Sequence, residues 1–458
     1  MKNPLPSGQS KGQAASSGHT GYGPTDGLAY DPEDPSYWDE AALQRETARV
    51  FDVCAGCRMC FKYCDAFPKL FKYADGEHEG DARALTRAET SAVIDDCFQC
   101  KQCEVNCPYS PRDAHPFAVD FPKLAHRHRA QQARSKGLAL RERVLANPDA
   151  LGLAARLGGG LANRLNRNTA HRVLMEKTLG IHRDKLLPTF APRTFEAWAS
   201  ESGLMARGKG PEAILFPGCF VENNEPEIGR DTVEALRANG VDVRCERGLA
   251  CCGMPAWECG DLRELRRRAR RNLDVLVPHV EAGSTIVALG PTCGMMLRRE
   301  YPTLVAPADR ERAQKLAAAV RDPGEYLLSL RGRAGAEQPF ASRPERVAYH
   351  VACHQRAQAI GFPARDLLRR GGVKEIVPVS ECCGHDGTYA MKVESFEAAR
   401  RIGRKAFDGL QEANAATWIT DCPLAAIQIE QNAGTKPLHP MSLLARAYRG
   451  DPFPPQKR

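Results

Sequence analysis

The feature that most constrains the fold of this chain is a repeated pattern of cysteines, each following a short apolar run. In the first copy the runs EAILFPGC, VDVRCERGLACCG and STIVALGPTC end at Cys219, at Cys251-Cys252-Gly253 and at Cys293. In the second copy RVAYHVAC, KEIVPVSECCG and ATWITDC end at Cys353, at Cys382-Cys383-Gly384 and at Cys422. The intervals are 32 and 41 residues in the first copy and 29 and 39 in the second. Cysteines placed at random would not return to one topological position, so the pattern indicates an internal duplication.

The apolar runs of both copies alternate with helical stretches such as GRDTVEALRAN and FEAARRIGRKAFDGLQEAN. Alternation of strands and helices predicts two α/β repeats with parallel sheets. In open α/β sheets ligands bind at the carboxyl ends of the strands, where these cysteines fall. We therefore predict one α/β repeat over 211–330 and a second over 345–450, joined by a short linker.

Two cysteine quartets precede the repeats, CAGCRMCFKYC at 54–64 and CFQCKQCEVNC at 97–107. This is the spacing of the bacterial two-cluster ferredoxins, in which the fourth cysteine ligates the other cluster. The predicted [4Fe–4S] ligands are Cys54, Cys57, Cys60 and Cys107 for the first cluster, and Cys97, Cys100, Cys103 and Cys64 for the second.

Zinc and disulfides fit the quartets less well than iron and sulfide do. Structural zinc more often uses two separated CxxC pairs around one ion, so the third closely spaced cysteine is surplus. Disulfides between such near neighbours would be strained, and the polar N-terminus has no apolar signal sequence that would send the chain to an oxidising compartment. The quartets therefore predict two electron-carrying clusters.

The residues around the quartets have a helical composition. We expect a disordered polar arm at 1–45, an α-helical ferredoxin-type domain with two [4Fe–4S] clusters at 46–130, and a helical connector at 131–210. Seven Lys or Arg fall between residues 123 and 143, which is typical of a solvated helix face or of a surface for an acidic partner. The apolar LGLAARLGGGLANRL is interpreted as a connecting helix or as a segment that lies on a surface.

The composition predicts a cytoplasmic protein that could bind the inner face of a membrane peripherally. No stretch of 18 apolar residues occurs in the sequence, so we predict no transmembrane segment. The net charge is +8, and no nucleic-acid motif accompanies the basic stretch, so we expect no nucleic-acid partner.

The repeat behind a two-cluster region resembles the cysteine-rich CCG-domain iron–sulfur oxidoreductases. This family includes the CCG subunit of heterodisulfide reductase and the iron–sulfur subunits of glycolate oxidase and anaerobic glycerol-3-phosphate dehydrogenase. The stretches that carry the resemblance are GCF at 218–220, CCG at 251–253, TCGMMLRREYP at 292–302, YHVACH at 349–354, CCGHDGTYAMK at 382–392 and TDCPLAAIQIE at 420–430. The resemblance implies an electron-transfer subunit.

The chain departs from the family's pattern at the end of each repeat, where a CxxC is expected. Met296 and Ala425 stand in place of the second cysteine. Each repeat then offers four thiolates, which can hold a further iron–sulfur cluster in one or both repeats. The ligands would be Cys219, Cys251, Cys252 and Cys293 in the first repeat, and Cys353, Cys382, Cys383 and Cys422 in the second. The alternative is that one repeat keeps its cysteines as buried, inert side chains.

Several other residues have side chains capable of chemistry. His350, His354 and His385 lie beside the cysteines of the second repeat, as structural histidines or as a proton relay. Cys245 and Cys259 fit no repeat position and are interpreted as structural. The only dinucleotide-like stretch, GKGPEA at 208–213, precedes a strand rather than following one, so flavin and NAD are expected on a partner. The sequence alone leaves the catalytic residues unknown.

These observations predict an iron–sulfur subunit that passes electrons from a flavoprotein dehydrogenase, of the hydroxy-acid or glycerol-3-phosphate type, to a membrane quinone or another acceptor. One alternative is a heterodisulfide-reductase-like enzyme acting on a disulfide or peroxide-linked substrate. Loss of both terminal CxxC motifs argues against it. A second alternative is a redox-sensing cluster protein.

The two quartets differ at the residue after the fourth cysteine, which is Asp65 in the first and Pro108 in the second. Asp65 adds a negative charge beside the predicted ligand Cys64. We therefore expect the second cluster to be harder to reduce than the first.

Overall fold

The computed structural model describes residues 30–208, 210–333 and 339–453, and its N-terminal part is helical. The helices are α1 (Pro35–Trp38), α2 (Glu40–Cys57), α3 (Ala66–Glu77), α4 (Arg87–Asp95), α5 (Gln102–Val105) and α6 (Phe121–Lys136). Asp39 caps α2 by accepting from the Ala42 amide at 2.6 Å. The apolar faces of these helices pack Phe51, Phe67 and Phe121 into one buried cluster, against which several quartet cysteines lie.

The predicted disordered arm at 1–45 is wrong from residue 35 onward, where α1 and the start of α2 form. Residues 1–29 lie outside the described part of the chain. Tyr37 is only 1% exposed, and Arg127 of α6 donates to the Tyr37 carbonyl at 2.9 Å. A long-range partner, absent from the local sequence pattern, thus fixes this segment.

The basic stretch at 123–143 is in large part an internal element. Arg127 is 1% exposed, and Arg129 donates to the carbonyls of Ile94, at 3.0 Å, and Cys97. Arg141 pairs with Glu394 at 2.5 Å. These guanidinium groups satisfy carbonyls and a carboxylate of the same chain, so they cannot at the same time form a surface for an acidic partner.

Five helices connect this region to the repeats: α7 (Leu140–Leu145), α8 (Pro148–Leu157), α9 (Leu161–Arg167), α10 (Thr169–Leu179) and α11 (Phe195–Glu201). The apolar stretch at 151–165 is split between α8 and α9. Gly159 and Gly160 have φ of 56° and 88°, a backbone conformation that ends a right-handed helix.

The first repeat contains four strands, β1 (Ala213–Phe216), β2 (Val243–Cys245), β3 (Thr285–Ala288) and β4 (Val320–Arg321). Its helices are α12 (Gly218–Asn223), α13 (Pro226–Ala238), α14 (Met254–Glu258), α15 (Leu262–Glu281), α16 (Pro291–Met295), α17 (Tyr301–Leu304), α18 (Arg310–Ala319) and α19 (Pro323–Ser329), with a π-helical turn at Met296–Glu300.

The second repeat contains three strands, β5 (Arg346–His350), β6 (Glu375–Val379) and β7 (Thr417–Thr420). Its helices are α20 (Cys353–Ala357), α21 (Pro363–Arg370), α22 (Phe396–Glu412), α23 (Pro423–Ala433) and α24 (Pro440–Arg449).

Both sheets are parallel throughout, in the orders β2-β1-β3-β4 and β6-β5-β7. The predicted fold class, a helical ferredoxin-type region followed by two α/β repeats with parallel sheets, is confirmed. Each of the six strands expected from the cysteine-flanking runs is present, and β4 is an addition that the pattern did not indicate. Ile214 and Leu215 bury themselves on opposite faces of the first sheet, which explains why its strands are apolar without alternation.

Each repeat packs its last helix against the other repeat. The last helix of the second repeat, α24, packs on α13 of the first, and α19 of the first packs on α21 of the second. Leu367, Met441 and Leu444 of the second repeat accordingly join the buried cluster around Leu215 of the first. Their carboxyl strand ends therefore have a fixed relation to each other.

Gly384, the glycine of the second CCG, is required by a close approach of two backbones. Its φ is +75°, and an added Cβ would lie 2.0 Å from the carbonyl oxygen of Ala399 in α22. We expect Gly384→Ala to lower the free energy of unfolding by at least about 3 kcal/mol, since it adds overpacking to left-handed strain.

Gly434 is the matched control for this prediction, because its φ is +74° and nothing lies within 4 Å of its added Cβ. Gly434→Ala should cost only about 1–2 kcal/mol, from the strained backbone alone. Chemical denaturation of both variants measures the difference, and equal losses would contradict the close-approach explanation.

Candidate metal centres

The first set of thiols comes from both quartets. Burial raises the pKa of Cys54 well above its usual value, and the next contributions come from Cys60, Cys107 and Cys57. Burial, followed by Cys107 and Cys57, raises the pKa of Cys60 to about 12. The structure therefore brings together the four cysteines predicted for the first cluster, including Cys107 from the other quartet.

The second set lies next to the first. Burial and then Cys97 raise the pKa of Cys64. Burial also raises the pKa of Cys103, which has thiol neighbours in both sets, with Cys60 first, then Cys97, Cys64 and Cys54. Proximity of Cys64 to Cys97 is what the predicted second ligand set requires, and the position of Cys103 makes the two sets adjacent.

Matching backbone turns shape the two quartets. Arg58, after Cys57, and Lys101, after Cys100, both adopt left-handed conformations, with φ of 58° and 60°. Such conformations are uncommon for residues other than glycine and are held in place by surrounding structure. The two quartets share this turn after their second cysteine, although Cys54 and Cys57 lie in α2 whereas Cys97 and Cys100 lie outside any helix.

The second quartet is wedged between the two α/β repeats by buried polar contacts. Lys101, 1% exposed, forms an ion pair with Glu300 of the first repeat at 2.6 Å. Burial alone would raise the pKa of Glu300, but Lys101 lowers it to about 2. On the other side Gln102 donates to the Cys353 carbonyl at 3.1 Å.

A thiol of the second repeat contacts a thiol of the second quartet. Cys382 packs against the buried cluster that contains Cys100, and this thiol neighbour raises the pKa of Cys382 well above its usual value. The Gly384 amide also donates to the Cys382 sulfur, at 3.3 Å. Phe98 and Tyr389 pack across the same boundary with ring centroids 4.8 Å apart. The second quartet and the second repeat thus form one continuous buried thiol region.

The second repeat encloses a small cavity of about 30 Å³ at the carboxyl ends of its strands. Its lining includes three thiols, three imidazoles and one carboxylate, namely Cys353, Cys383, Cys422, His350, His354, His385 and Asp386. Burial, followed by Asp386, Cys382, Cys383 and Cys422, raises the pKa of Cys353 well above its usual value. All four cysteines predicted for this repeat are therefore near one another.

In the first repeat each of the four predicted thiols has another of them as a neighbour. Cys251 is in hydrogen-bonding contact with Cys219 and Cys252, which together hold its pKa well below the usual value. Cys252 has two thiol neighbours, Cys251 and Cys293, and both raise its pKa well above the usual value. Gly218 allows this approach, since an added Cβ there would lie 2.7 Å from the Cys293 sulfur.

A cavity of about 200 Å³ opens beside the first-repeat thiols Cys219 and Cys251. Asp149 of α8 lines it and accepts from the Cys251 amide at 3.0 Å. Arg268, whose side chain is 1% exposed, pairs with Asp149 at 2.6 Å. The carboxylate beside these thiols is therefore neutralised by a buried guanidinium.

The donor chemistry of all four thiol groups fits iron–sulfur clusters. Each group gathers four sulfur donors in a buried or half-buried setting, and thiolates are the usual cluster ligands. Cys245, buried in β2, and Cys259, whose thiol donates to the Ala256 carbonyl at 3.4 Å, belong to none of these groups.

The three histidines are buried and differ in their contacts. Burial lowers the pKa of both His350 and His354 to about 4. His354 bonds Thr292 Oγ1 at 2.9 Å and the Gln99 carbonyl at 3.0 Å, so it links three parts of the chain. The Nε2 atom of His350 and the Nδ1 atom of His385 have no hydrogen-bond partner in the described part of the chain.

Asp386 is a site residue that the repeat pattern passed over. The two CCG sequences continue as Met254-Pro255 in the first repeat and as His385-Asp386 in the second. Aligning the repeats beyond the glycine would have shown an ionisable side chain in one of them. Lys101 and Asp149 carried no such signal, since their partners lie 199 and 102 residues away.

Two domain families match the chain. The cysteine-rich CCG domain matches residues 213–298 and 347–430, and the 4Fe-4S dicluster domain matches residues 53–111.

Three curated relatives show the range of similar proteins. A subunit of the anaerobic glycerol-3-phosphate dehydrogenase of Escherichia coli is 29% identical over 311 residues, 68% of this chain and 77% of the relative. Lactate utilization protein A of Bacillus licheniformis is 29% identical over 39% of this chain and 74% of its own. A subunit of the fumarate reductase (CoM/CoB) of Methanothermobacter marburgensis is 26% identical over 54% of this chain and 48% of its own.

Among the described residues, no helix combines the length and the apolar character that crossing a bilayer requires.

Asp65 is not alone beside the second set of thiols. Its carboxylate pairs with Arg401 of α22, a cation that the quartet sequence does not contain. The charge that we expected to make the second cluster harder to reduce is therefore offset. The offset is partial, because the Arg401 side chain is 60% exposed and water screens the pair.

We therefore expect the charge of Asp65 to change the reduction potential of the second cluster mainly when Arg401 is replaced, as in Arg401→Gln. Removing the guanidinium leaves Asp65 uncompensated beside Cys64, which should lower the reduction potential of the second cluster by roughly a few tens of millivolts. The double variant Asp65→Asn/Arg401→Gln should return to the wild-type value or slightly above it, because the wild-type offset is partial. Redox titration followed by electron paramagnetic resonance (EPR) measures both, and an unchanged potential in Arg401→Gln would contradict the prediction.

Proposed function

We propose that this oxidoreductase component, built from a 4Fe-4S dicluster domain and two cysteine-rich CCG domains, passes electrons from a flavoprotein dehydrogenase to a membrane quinone or another acceptor. The observation that carries the proposal is the contact between Cys100 and Cys382. It places a predicted ligand of a ferredoxin-type cluster beside thiols of the second repeat within one buried cluster.

The proposed route follows three adjacent groups of thiols. It begins at the set with Cys54, crosses to the set with Cys97 and continues through Cys100 and Cys382 into the second repeat. Iron–sulfur clusters bound by these thiolates would supply the one-electron carriers. The protein buries the sulfur atoms, and the ion pair between Lys101 and Glu300 holds the second quartet in place between the repeats.

The donor is proposed from the relatives. One relative is a subunit of an anaerobic glycerol-3-phosphate dehydrogenase and another is named for lactate utilization, and both names describe the use of a small hydroxylated compound. We propose that a separate flavoprotein performs the corresponding oxidation and delivers its electrons to this chain.

Contact with the membrane is proposed to be peripheral, on its inner face, and to use the connector. A succession of exposed leucines, Leu153, Leu157, Leu161 and Leu165, spans α8 and α9, with exposed fractions of 51, 81, 54 and 36%. Arg164 and Arg167 are exposed beside them. Apolar side chains interspersed with arginine are typical of segments that lie in the interface of an anionic membrane.

The electron-transfer proposal is tested with protein reconstituted anaerobically with iron and sulfide. Reduced flavin is the donor and a soluble quinone is the acceptor. Cys107→Ser should lose about four iron ions per chain and most of the quinone reduction, because Cys107 completes the first cluster. Cys259→Ser, a substitution of the same type outside the four thiol groups, should keep both. Zinc without labile sulfide in the wild-type protein would contradict the proposal.

The membrane proposal is tested by sedimentation with phosphatidylglycerol vesicles. Leu157→Glu/Leu161→Glu should weaken binding by roughly a hundredfold, because two buried leucines contribute about 3 kcal/mol or more. Val393→Glu changes an exposed apolar side chain of the second repeat and is the control, with no change expected. Equal binding of the wild type and the double variant would remove these leucines from the interface.

A second candidate function is reduction of a small disulfide substrate at the first repeat. The cavity of about 200 Å³ beside Cys219 and Cys251 favours it, since this cavity has room for a ligand. Cys251→Ser distinguishes the two functions: loss of disulfide reduction with intact quinone reduction would support the second candidate.

A further inference from the structure

The carboxylate of Asp386 stands out among the buried charges of the second repeat. Its side chain is 4% exposed, and its Oδ2 atom lies 3.9 Å from the Cys353 sulfur and 3.5 Å from His354 Nε2. Across the described ranges, Asp386 forms no ion pair with Arg or Lys; its only ion-pair neighbour is His354. The donor atoms of Cys353, His354 and Asp386 all lie within 4.8 Å of one another, a spacing at which one metal ion can contact more than one of them.

The first repeat differs from the second in how the carboxyl group beside its thiols is paired. There the carboxylate beside the thiols, Asp149, has Arg268 as its cation at 2.6 Å. At the positions that correspond to His385 and Asp386 the first repeat has Met254 and Pro255. The second repeat has thus gained a carboxyl group beside its thiols, and within the described residues no Arg or Lys pairs with it.

His354 is held by contacts at both of its ring nitrogens. Its Nε2 atom faces the Gln99 carbonyl at 3.0 Å, and since a carbonyl only accepts, Nε2 carries a proton. Its Nδ1 atom lies 2.9 Å from Thr292 Oγ1. These two contacts fix the imidazole ring 3.5 Å from the Asp386 carboxyl group, as residues beside metal ligands commonly are fixed.

The cavity next to Asp386 brings several metal-binding side chains together. Cys353, Cys383 and Cys422 line it together with Asp386. Ala425, which stands where the terminal CxxC pattern would place another cysteine, lines it too. The buried His350 and His385, each with one unpartnered ring nitrogen, also face this cavity. At about 30 Å³ it is far smaller than the roughly 300–1,000 Å³ of a small-molecule pocket.

From these contacts we propose that Asp386 is an iron ligand of the second repeat, where its carboxylate adds a fifth anionic donor to the thiolates of Cys353, Cys382, Cys383 and Cys422. The inference rests on the proposed function, because it assumes an iron–sulfur centre in this repeat. It assigns to the second repeat a mixed thiolate and carboxylate centre and to the first repeat a thiolate-only site. The two repeats would then differ in reduction potential as well as in ligands.

The test replaces the carboxylate by an amide. Asp386 has a φ of 22°, and asparagine is among the residues that tolerate positive φ best, so Asp386→Asn preserves the backbone and removes the charge. After anaerobic reconstitution, the variant should lose the iron ion that the carboxylate binds and hold about one fewer iron per chain than the wild type, because the four thiolates remain. The EPR signals of the two ferredoxin-type clusters should remain. Asp408→Asn, at an exposed carboxylate on α22 of the same repeat, is the control and should keep the full metal content.

A measurement on the wild-type protein guards against a variant that fails to fold. Mössbauer spectra of ⁵⁷Fe-reconstituted protein should contain one iron component with the higher isomer shift of oxygen ligation, and Asp386→Asn should lack it. Full iron content in Asp386→Asn, a wild-type spectrum with sulfur-ligated iron alone, or zinc in this repeat would each overturn the assignment. The first two outcomes leave the proposed function intact, because quinone reduction in the wild type is measured separately.

Discussion

The position of the second cysteine quartet between the two repeats is the constraint on which the rest of the structure depends. Lys101 pairs with Glu300 of the first repeat at 2.6 Å, and Gln102 bonds the Cys353 carbonyl of the second at 3.1 Å. Because a buried ion pair that loses one partner leaves an uncompensated charge, the quartet cannot shift without a large cost. This position of the second quartet brings Cys100 next to Cys382.

The two repeats share their topology and differ in their chemistry. Both place cysteines at the carboxyl ends of parallel strands, and each packs its last helix on the other repeat. The second repeat touches the quartet and encloses a cavity of about 30 Å³, whereas the first opens to one of about 200 Å³. The duplicated scaffold thus has one group of thiols adjacent to the second cysteine quartet and another beside a larger cavity.

The sequence predicted what depends on local pattern. The strands behind Cys219 and Cys353 were readable because parallel strands buried on both faces are continuous apolar runs. The sharing of Cys64 and Cys107 between clusters followed from spacing, and the thiol neighbours in the structure support it. What the pattern missed depends on partners distant in the chain: the helix at Pro35–Trp38 is held by α6, and the charge of Asp65 is offset by Arg401. Such pairs have no periodic signal, so only the folded chain reveals them.

We propose that electrons reach the second repeat directly from the cluster that Cys100 would bind, because Cys382 lies beside this thiol. Magnetic coupling between reduced centres tests it most directly, since this coupling falls steeply with distance. EPR of the fully reduced protein should show coupling between a ferredoxin-type cluster and one further centre. Cys422→Ser, in the second repeat, should abolish that coupling, and Cys293→Ser, in the first, should leave it unchanged. Coupling that survives Cys422→Ser and disappears in Cys293→Ser would contradict the account.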